Sequence, residues 1–304
     1  MTTENAHTII APTATVPSSV TLAPFCVIGE NVTLGENVTL GVGCVLEEGA
    51  TIGAGSTLGH HVTISAGASL GEECQLSAHA SIGTGAKIGN RTRIGEHTSV
   101  YLQAELGEDG FIGSSSSIGR FPKAAATSTV KAQADLPPLK MGNGFTIGCS
   151  VVLYAGTSYG EKVFLGDGAL VRERCAIGQN VVIGSGAAVE NDTRIGAFTK
   201  IQTGSYITAY MEIEERVFIA PMVTTTNDNY MGRTEKRFKS IKGATIGRGA
   251  RVGGASILLP GVKVAPETFV AAGALVTKDT TEKRVVKGFP AKDLRAVPEE
   301  ELLP

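Results

Sequence analysis

Aliphatic residues recur at every sixth position over most of this chain. The first run has no miss and reads Ile10, Val16, Leu22, Ile28, Leu34, Leu40, Leu46, Ile52, Leu58, Ile64, Leu70, Leu76, Ile82, Ile88, Ile94, Val100, Leu106, Ile112 and Ile118. A second run, in a new phase, reads Ile147, Leu153, Tyr159, Leu165, Val171, Ile177, Ile183, Val189, Ile195, Ile201, Ile207, Ile213 and Ile219. A third reads Ile246, Val252, Leu258, Val264, Val270 and Val276. Helices and ordinary strands have other periods, whereas a six-residue period is typical of a hexapeptide β-solenoid.

Each hexad also predicts which side chains point into the coil. The residue four after the aliphatic one is small or β-branched, as at Val32, Val38, Cys44, Ala50, Ser56, Val62 and Ala68. The residue directly after it is often Gly, and we expect this Gly to provide left-handed or tight backbone at a corner. Three hexads should make one triangular turn, so that residues 18 apart stack on neighbouring coils.

Breaks in the period divide the chain. We predict an all-β fold with a first solenoid at 8–118, a linker or excursion loop at 119–140, and a second solenoid at 141–278. The second solenoid carries a protruding loop at 220–243, and a short tail with a helical turn or two follows at 279–304. The composition agrees, since the 304 residues include 39 Gly and no Trp, for which a narrow coil has no room.

Charge and hydropathy exclude several classes of function. A net charge of −2 gives no basis for binding nucleic acid or a membrane surface. No apolar run has membrane-spanning length, and the first ten residues lack the basic and apolar segments of a secretory signal. We therefore expect a cytoplasmic protein. The five cysteines form no CxxC motif; Cys26 and Cys44, 18 apart, should stack as small buried side chains, with a disulfide or metal pair as the alternative.

The loop at 220–243 is the first candidate for chemistry, because it is a polar insertion on a rigid scaffold. Seven cationic residues lie close together against one acid, Glu235, and they are Arg233, Lys236, Arg237, Lys239, Lys242, Arg248 and Arg251. Such a patch suits the phosphates of a cofactor or of a nucleotide-linked substrate. The alternative is a solvated basic loop.

The hexads and the C-terminal sequence resemble the hexapeptide-repeat acyltransferases. The matching segments are GGAS at 253–256, LPGV at 259–262, VAAGALVTKD at 270–279 and GFPAK at 288–292. The resemblance implies a left-handed parallel β-helix and acetyl-CoA as co-substrate, with no metal expected. It places the pantetheine arm and phosphates of acetyl-CoA against Gly253, Gly254, Ala255, Ala271, Ala272, Gly273, Lys278, Arg284 and Lys287.

The same loop resembles that of nucleotide-sugar N-acetyltransferases at Thr226–Tyr230. No His follows His97, although an alcohol nucleophile usually needs a general base. An unprotonated amine can attack a thioester without one. We therefore expect Asn227 and Asp228 to orient an amine, with Asp228 taking its proton, and we expect substrate contacts from Asn229, Tyr230, Arg233 and Arg237. A simple turn is the alternative.

A histidine ladder is the second candidate. His61, His79 and His97 are 18 apart and should stack on successive coils with their side chains outward. They could form a surface or interface ladder, an acyltransferase-type site, or a metal site. The γ-class carbonic anhydrases, a related branch, use another spacing. Arg172 with Glu190, and Arg174 with Asp192, should form ion pairs between coils that stabilise little.

These observations favour an acetyl-CoA-dependent N-acyltransferase for an amino sugar or a nucleotide-linked amino sugar. The resemblance implies a homotrimer. A metal-dependent lyase built on the histidine ladder and a non-catalytic solenoid scaffold are the alternatives.

Overall fold

A computed structural model describes residues 7–126, 135–299 and 302–303. The N-terminal six residues, residues 127–134 of the predicted linker and residues 300, 301 and 304 of the predicted tail lie outside the described residues. The chain divides into two compact units, Met1–Gly156 and Thr157–Pro304. This division falls later than the break that the sequence predicted at 119–140.

Unit 1 consists of very short strands separated by tight corners. Its strands are β1 (Ile9–Ile10), β2 (Thr21–Leu22), β3 (Val27–Ile28), β4 (Thr33–Leu34), β5 (Thr39–Leu40), β6 (Val45–Leu46), β7 (Thr51–Ile52), β8 (Thr57–Leu58), β9 (Thr63–Ile64), β10 (Ser69–Leu70), β11 (Gln75–Leu76), β12 (Ser81–Ile82), β13 (Lys87–Ile88), β14 (Arg93–Ile94), β15 (Ser99–Val100), β16 (Glu105–Leu106), β17 (Phe111–Ile112), β18 (Ser117–Arg120), β19 (Lys140–Met141), β20 (Thr146–Ile147) and β21 (Val152–Tyr154).

Unit 2 repeats this construction and adds one short helix. Its elements are β22 (Ser158–Tyr159), β23 (Phe164–Leu165), β24 (Leu170–Val171), β25 (Ala176–Ile177), β26 (Val182–Ile183), β27 (Ala188–Val189), β28 (Arg194–Ile195), β29 (Lys200–Ile201), β30 (Tyr206–Ile207), β31 (Glu212–Ile213), β32 (Phe218–Ile219), β33 (Thr224–Thr225), α1 (Arg237–Ser240), β34 (Thr245–Ile246), β35 (Arg251–Val252), β36 (Ile257–Leu258), β37 (Lys263–Val264), β38 (Phe269–Val270), β39 (Leu275–Val276), β40 (Arg284–Lys287) and β41 (Lys292–Ala296).

Nearly every strand pairs in parallel with the third strand after it along the chain, so each unit has three faces. In unit 1, Ser81 pairs with Ser99 and Ile82 with Val100. In unit 2, face 2A comprises β24, β27, β30, β33, β36 and β39, face 2B comprises β22, β25, β28, β31, β34 and β37, and face 2C comprises β23, β26, β29, β32, β35, β38, β40 and β41. The predicted 18-residue stacking and the all-β hexapeptide solenoid are confirmed, and the architecture agrees with a left-handed parallel β-helix. No helix in the described part of the chain is long and apolar enough to cross a membrane.

The coil interior consists of the two predicted inward positions of each hexad. The second residue of nearly every strand is buried, and so are the small residues Val32, Val38, Cys44, Ala50, Ser56, Val62 and Ala68. Cys26 and Cys44 are buried free thiols, and burial raises the pKa of the Cys44 thiol to about 11. These two cysteines therefore fill space in the core, as the sequence predicted.

The glycine after the aliphatic residue has a different role from the one predicted. Gly59 follows Leu58 and has no positive φ; a Cβ there would lie 2.7 Å from the backbone nitrogen of Ala78 on the next coil. The left-handed conformation falls two residues later in the hexad, as at Gly67 with φ +64° and His61 with φ +55°. At Gly59, close approach of the next coil, rather than backbone handedness, therefore disfavours a side chain.

At both interruptions of the period, the chain leaves the coil at the end of one face and rejoins it at the start of the next face. In unit 1 the chain leaves after β18, and Lys140 returns to pair with Glu105. In unit 2 the excursion begins at Thr226 and not at residue 220, because 220–225 complete a further hexad in which Thr224 pairs with Ile257. The predicted tail forms the antiparallel hairpin β40–β41 instead of a helical turn.

Candidate functional site

The loop of unit 2 lies on the corner that follows face 2A. This corner, called corner 2AB, comprises residues 172–174, 190–192, 208–210 and 226–228, with equivalent positions stacked 18 residues apart. The Asn227 side-chain amide donates to the carbonyl oxygen of Ala209 at 3.3 Å. The Lys242 backbone amide donates to the carbonyl oxygen of Asn227 at 2.9 Å, which closes the base of the loop. Asn227 therefore joins the two ends of the loop to the preceding coil.

Asp228 organises the inside of the loop. Its carboxylate accepts hydrogen bonds from the backbone amides of Tyr230 at 2.8 Å and Gly232 at 2.9 Å. The Arg237 guanidinium lies 3.5 Å away and stacks on the Phe238 ring at 4.9 Å. The hydrogen bonds from Tyr230 and Gly232, together with the charge of Arg237, lower the pKa of Asp228. This carboxylate is therefore a weaker base than an ordinary one, which disfavours the predicted role as proton acceptor.

The predicted substrate-binding residues separate into two groups. Asn229, Tyr230 and Arg233 are exposed on the loop. Arg237 is partly buried and contacts Asp228, so its guanidinium stabilises the loop. Two other members of the basic patch also have internal contacts, because Arg248 lies 2.9 Å from Glu215 and Arg251 stacks on Phe269. The exposed cations that could meet a phosphate are Arg233, Lys236, Lys239 and Lys242.

Corner 2AB also holds a charged cluster below the loop. The guanidinium of Arg172 lies 3.5 Å from Glu190, and that of Arg174 lies 2.6 Å from Asp192, so both predicted ion pairs are confirmed. Glu173, which the repeat pattern did not indicate, is 6% exposed and accepts two hydrogen bonds from Arg172, at 2.8 and 3.0 Å. Its position between two arginines in the sequence was the one signal that could have indicated this ionic cluster.

The small residues predicted to meet acetyl-CoA form another corner of unit 2. This corner, called corner 2CA, lies between faces 2C and 2A; it stacks 253–255 on 271–273, and Lys287 follows at the next equivalent position. The backbone amides of Gly253, Ala255, Ala271 and Gly273 donate to carbonyl groups of neighbouring coils, at 2.8 to 3.1 Å. These four backbone amides therefore already have carbonyl partners. The corner offers close approach instead, because a Cβ at Gly273 would meet no atom within 4 Å.

The remaining predicted contacts of acetyl-CoA do not join this corner. Lys278 follows face 2A and therefore lies in the continuation of corner 2AB. Arg284 begins β40 and lies 3.5 Å from Asp293. Gly254 lies on the corner before face 2A and Asn227 on the corner after it. A long flexible donor arm would therefore have to cross face 2A for both residues to contact one acetyl-CoA.

The histidine ladder of unit 1 forms as predicted. The ring centroids of His61 and His79 are 5.1 Å apart, and those of His79 and His97 are 4.8 Å apart, with interplanar angles of 16° and 4°. All three residues have positive φ, which His tolerates better than most side chains. Because parallel rings direct their nitrogen lone pairs side by side, they do not converge on one ion. Within the ranges that the structure describes, no group of three or more potential ligands is arranged to hold a metal.

Comparison with known proteins finds a family match in each unit of this chain. The family described as bacterial transferase hexapeptide (six repeats) matches residues 31–66, and the hexapeptide repeat of succinyl-transferase matches residues 174–209. One match lies in each unit, on hexads that the structure shows as coils. Both units therefore contain hexapeptide repeats similar to those of bacterial transferases, which agrees with the repeat that the sequence predicted.

The individual proteins that resemble this chain share a third or less of the aligned residues with it. The Saccharomyces cerevisiae protein YJL218W, named as a candidate acetyltransferase, is 32% identical over 96 residues, which cover 31% of this chain. The match spans 49% of that relative, so about half its length. Among solved structures, a point variant of perosamine N-acetyltransferase from Caulobacter crescentus, in complex with CoA and GDP-perosamine, is 22% identical over 47% of this chain and 56% of its own, with a TM-score of 0.33. An Arabidopsis UDP-N-acetylglucosamine acyltransferase is 16% identical over 95% of this chain and 74% of its own, with a TM-score of 0.29.

Proposed function

We propose that this protein transfers an acetyl group from acetyl-CoA to the amine of an amino sugar, free or nucleotide-linked. The transferase-type repeats in both units and the acetyltransferase name of the yeast relative support this class of reaction. The observation that carries the proposal is the preformed loop on corner 2AB, in which Asn227 is fixed by two hydrogen bonds beside exposed polar and cationic residues.

The roles in this reaction follow from the contacts. Asn227 orients the acceptor at the base of the loop, and Asp228 with Arg237 holds the loop in shape. Asn229, Tyr230 and Arg233 are exposed where they could contact sugar and phosphate groups. Corner 2CA lets the pantetheine arm lie against backbone, and the exposed Lys287 beside it could meet a phosphate of CoA. The amine then attacks the thioester carbonyl directly.

We further propose that the active form is a homotrimer, as the resemblance to hexapeptide-repeat acyltransferases implies. In such an assembly, a donor on corner 2CA of one subunit could face corner 2AB of its neighbour. This arrangement would bring together the two candidate regions that stand at opposite ends of face 2A in one chain.

Replacement of Asn227 tests the catalytic assignment. We expect Asn227→Ala to lower the rate of acetyl transfer about 10- to 100-fold, because the acceptor loses a fixed partner. The rate is measured as CoA release, with mass detection of the N-acetylated product, using UDP-glucosamine and GDP-perosamine as first acceptors. The loop should persist because Asp228 still holds it.

The control is Gln179→Ala, which removes an exposed amide side chain from another corner of unit 2. Circular dichroism should show an unchanged fold for both variants. Turnover equal to wild type in Asn227→Ala would contradict a role for this residue in the reaction.

A further inference from the structure

The Glu190 carboxylate differs from the other acids of corner 2AB. Asp192 receives two short contacts from Arg174, at 2.7 and 2.6 Å, and Glu173 receives two from Arg172, at 2.8 and 3.0 Å. The contact of Glu190 with Arg172 is longer, at 3.5 Å. Its side chain is 21% exposed, so it is partly buried and still reachable from solvent. Of the three carboxylates, Glu190 is therefore the least neutralised.

The charges of this cluster leave an excess of negative charge. Two guanidinium groups, Arg172 and Arg174, face three carboxylates, Glu173, Glu190 and Asp192. Burying ions is costly unless each is paired, and desolvation is the main cause that raises the pKa of Glu190, opposed by Arg172 and reinforced by Glu173. An unneutralised, partly buried carboxylate attracts a cation that brings its own hydrogen-bond donors.

Aromatic and hydroxyl groups border this carboxylate on the side of the loop. Tyr206 lies on the next coil and is 40% exposed. Its interaction with Glu190 lowers the pKa of the carboxyl group, whereas burial and the negative charge of Glu190 raise the pKa of the Tyr206 hydroxyl. Thr208 stacks 18 residues after Glu190, and Thr226 another 18 after it, next to Asn227. Glu190, Thr208 and Thr226 therefore occupy equivalent positions on three successive coils, the last of which carries the loop.

We propose that Glu190 is a catalytic residue that binds the ammonium group of the acceptor and accepts the proton released when the nitrogen forms its new bond. This inference rests on the proposed acetyl transfer to an amine. It supplies a base in a chain that has no His after His97. Asp228 is less suited to this role, because its carboxylate already accepts hydrogen bonds within the loop.

The acceptor arrives as an ammonium ion beside Glu190 and loses one proton to solvent. The neutral nitrogen forms a bond to the thioester carbon, whose π electrons move to oxygen. The carbon–sulfur bond then breaks and CoA thiolate leaves, while the second nitrogen proton passes to the Glu190 carboxylate. That proton finally moves to the thiolate, which gives the amide, CoA thiol and ionised Glu190. The acetyl group reaches Glu190 across face 2A or from a neighbouring subunit, and both routes leave this step unchanged.

Glu190→Gln tests the inference while keeping the shape of the side chain. We expect kcat/KM for UDP-glucosamine to fall about 10²- to 10³-fold at pH 7, the typical loss for general-base catalysis. For the wild type, kcat/KM should rise with pH both as Glu190 ionises and as the acceptor amine loses its proton, and only the rise due to the amine should remain in the variant. Glu190→Asp should recover part of the rate. The matched control is Glu161→Gln, an exposed glutamate on another corner of unit 2.

Folding and binding provide independent readouts. The ionised Glu190 carboxylate is disfavoured by burial, so Glu190→Gln should unfold at the same or a higher temperature than wild type at pH 7. Calorimetry with UDP-glucosamine and UDP-glucose should show that the wild type prefers the amine at least tenfold and that the variant loses this preference. An active wild type with an equally active Glu190→Gln variant, or with an unchanged preference for the amine, would overturn the role of Glu190 alone. A wild type that acetylates no amine would overturn the proposed function, and the role of Glu190 with it.

Discussion

At the scale of single residues, two kinds of glycine explain how neighbouring coils approach each other. Gly59 faces the backbone of the next coil, where a Cβ would lie 2.7 Å from the nitrogen of Ala78. Gly67 has φ +64° and open space around a Cβ. At Gly59 a side chain would contact the next coil, whereas at Gly67 it would carry only a conformational cost, which Asn, His and Asp reduce.

Alanine at these two glycines should therefore destabilise unit 1 by different amounts. We expect Gly67→Ala to cost about 1 kcal/mol from left-handed backbone strain. Gly59→Ala should cost more, about 2–4 kcal/mol, because the coils must separate. Thermal denaturation followed by circular dichroism measures both. Equal losses would show that close approach does not distinguish the two positions.

Among single residues, inward positions could be predicted from the sequence, whereas only some side-chain contacts could. Inward residues such as Val38 and Leu40 were predictable because a coil of fixed period leaves each hexad one inward pattern. The sequence also paired Arg172 with Glu190. It did not indicate that the guanidinium of Arg172 also binds Glu173, because that contact depends on side-chain rotamers. Periodicity does not determine rotamers, so the unequal neutralisation of Glu190 became visible only in the structure.

At the scale of elements, the loop of unit 2 is a structured segment with its own internal bonds. Asp228 bonds to residues two and four positions later, and Lys242 returns to Asn227. The sequence located a polar insertion here but began it six residues early, because Thr225 at the end of the hexad is a polar residue in an inward position. Local hydrogen bonds of an aspartate carry no periodic signal, so the closure of the loop was not predictable from spacing.

Asp228→Ala should loosen the loop without melting the coil. The variant removes the acceptor of the Tyr230 and Gly232 amides and the partner of Arg237. We expect hydrogen exchange of those amides to accelerate at least tenfold, while amides of the neighbouring strands β30 and β34 keep their protection. Glu235→Ala, on the exposed part of the loop, is the control. Unchanged exchange at Tyr230 and Gly232 would contradict the organising role of Asp228.

At the scale of the whole molecule, the separation of the candidate regions bears on assembly. Asn227 and the small residues around Gly254 stand at opposite ends of face 2A, and the proposed trimer would let two subunits share one site. Light scattering after size exclusion should give about three times the chain mass of 31.4 kDa. A monomeric and fully active protein would require the donor arm to cross face 2A instead.

Calorimetric titration of the protein with acetyl-CoA tests the proposed function most directly. The account predicts binding at micromolar affinity, weakened at least tenfold in Lys287→Glu, which reverses the charge beside corner 2CA. Lys87→Glu, an exposed lysine of unit 1, should bind as tightly as the wild type. No detectable binding to the wild type, with or without UDP-glucosamine present, would contradict the proposal that this protein is an acetyl-CoA-dependent transferase.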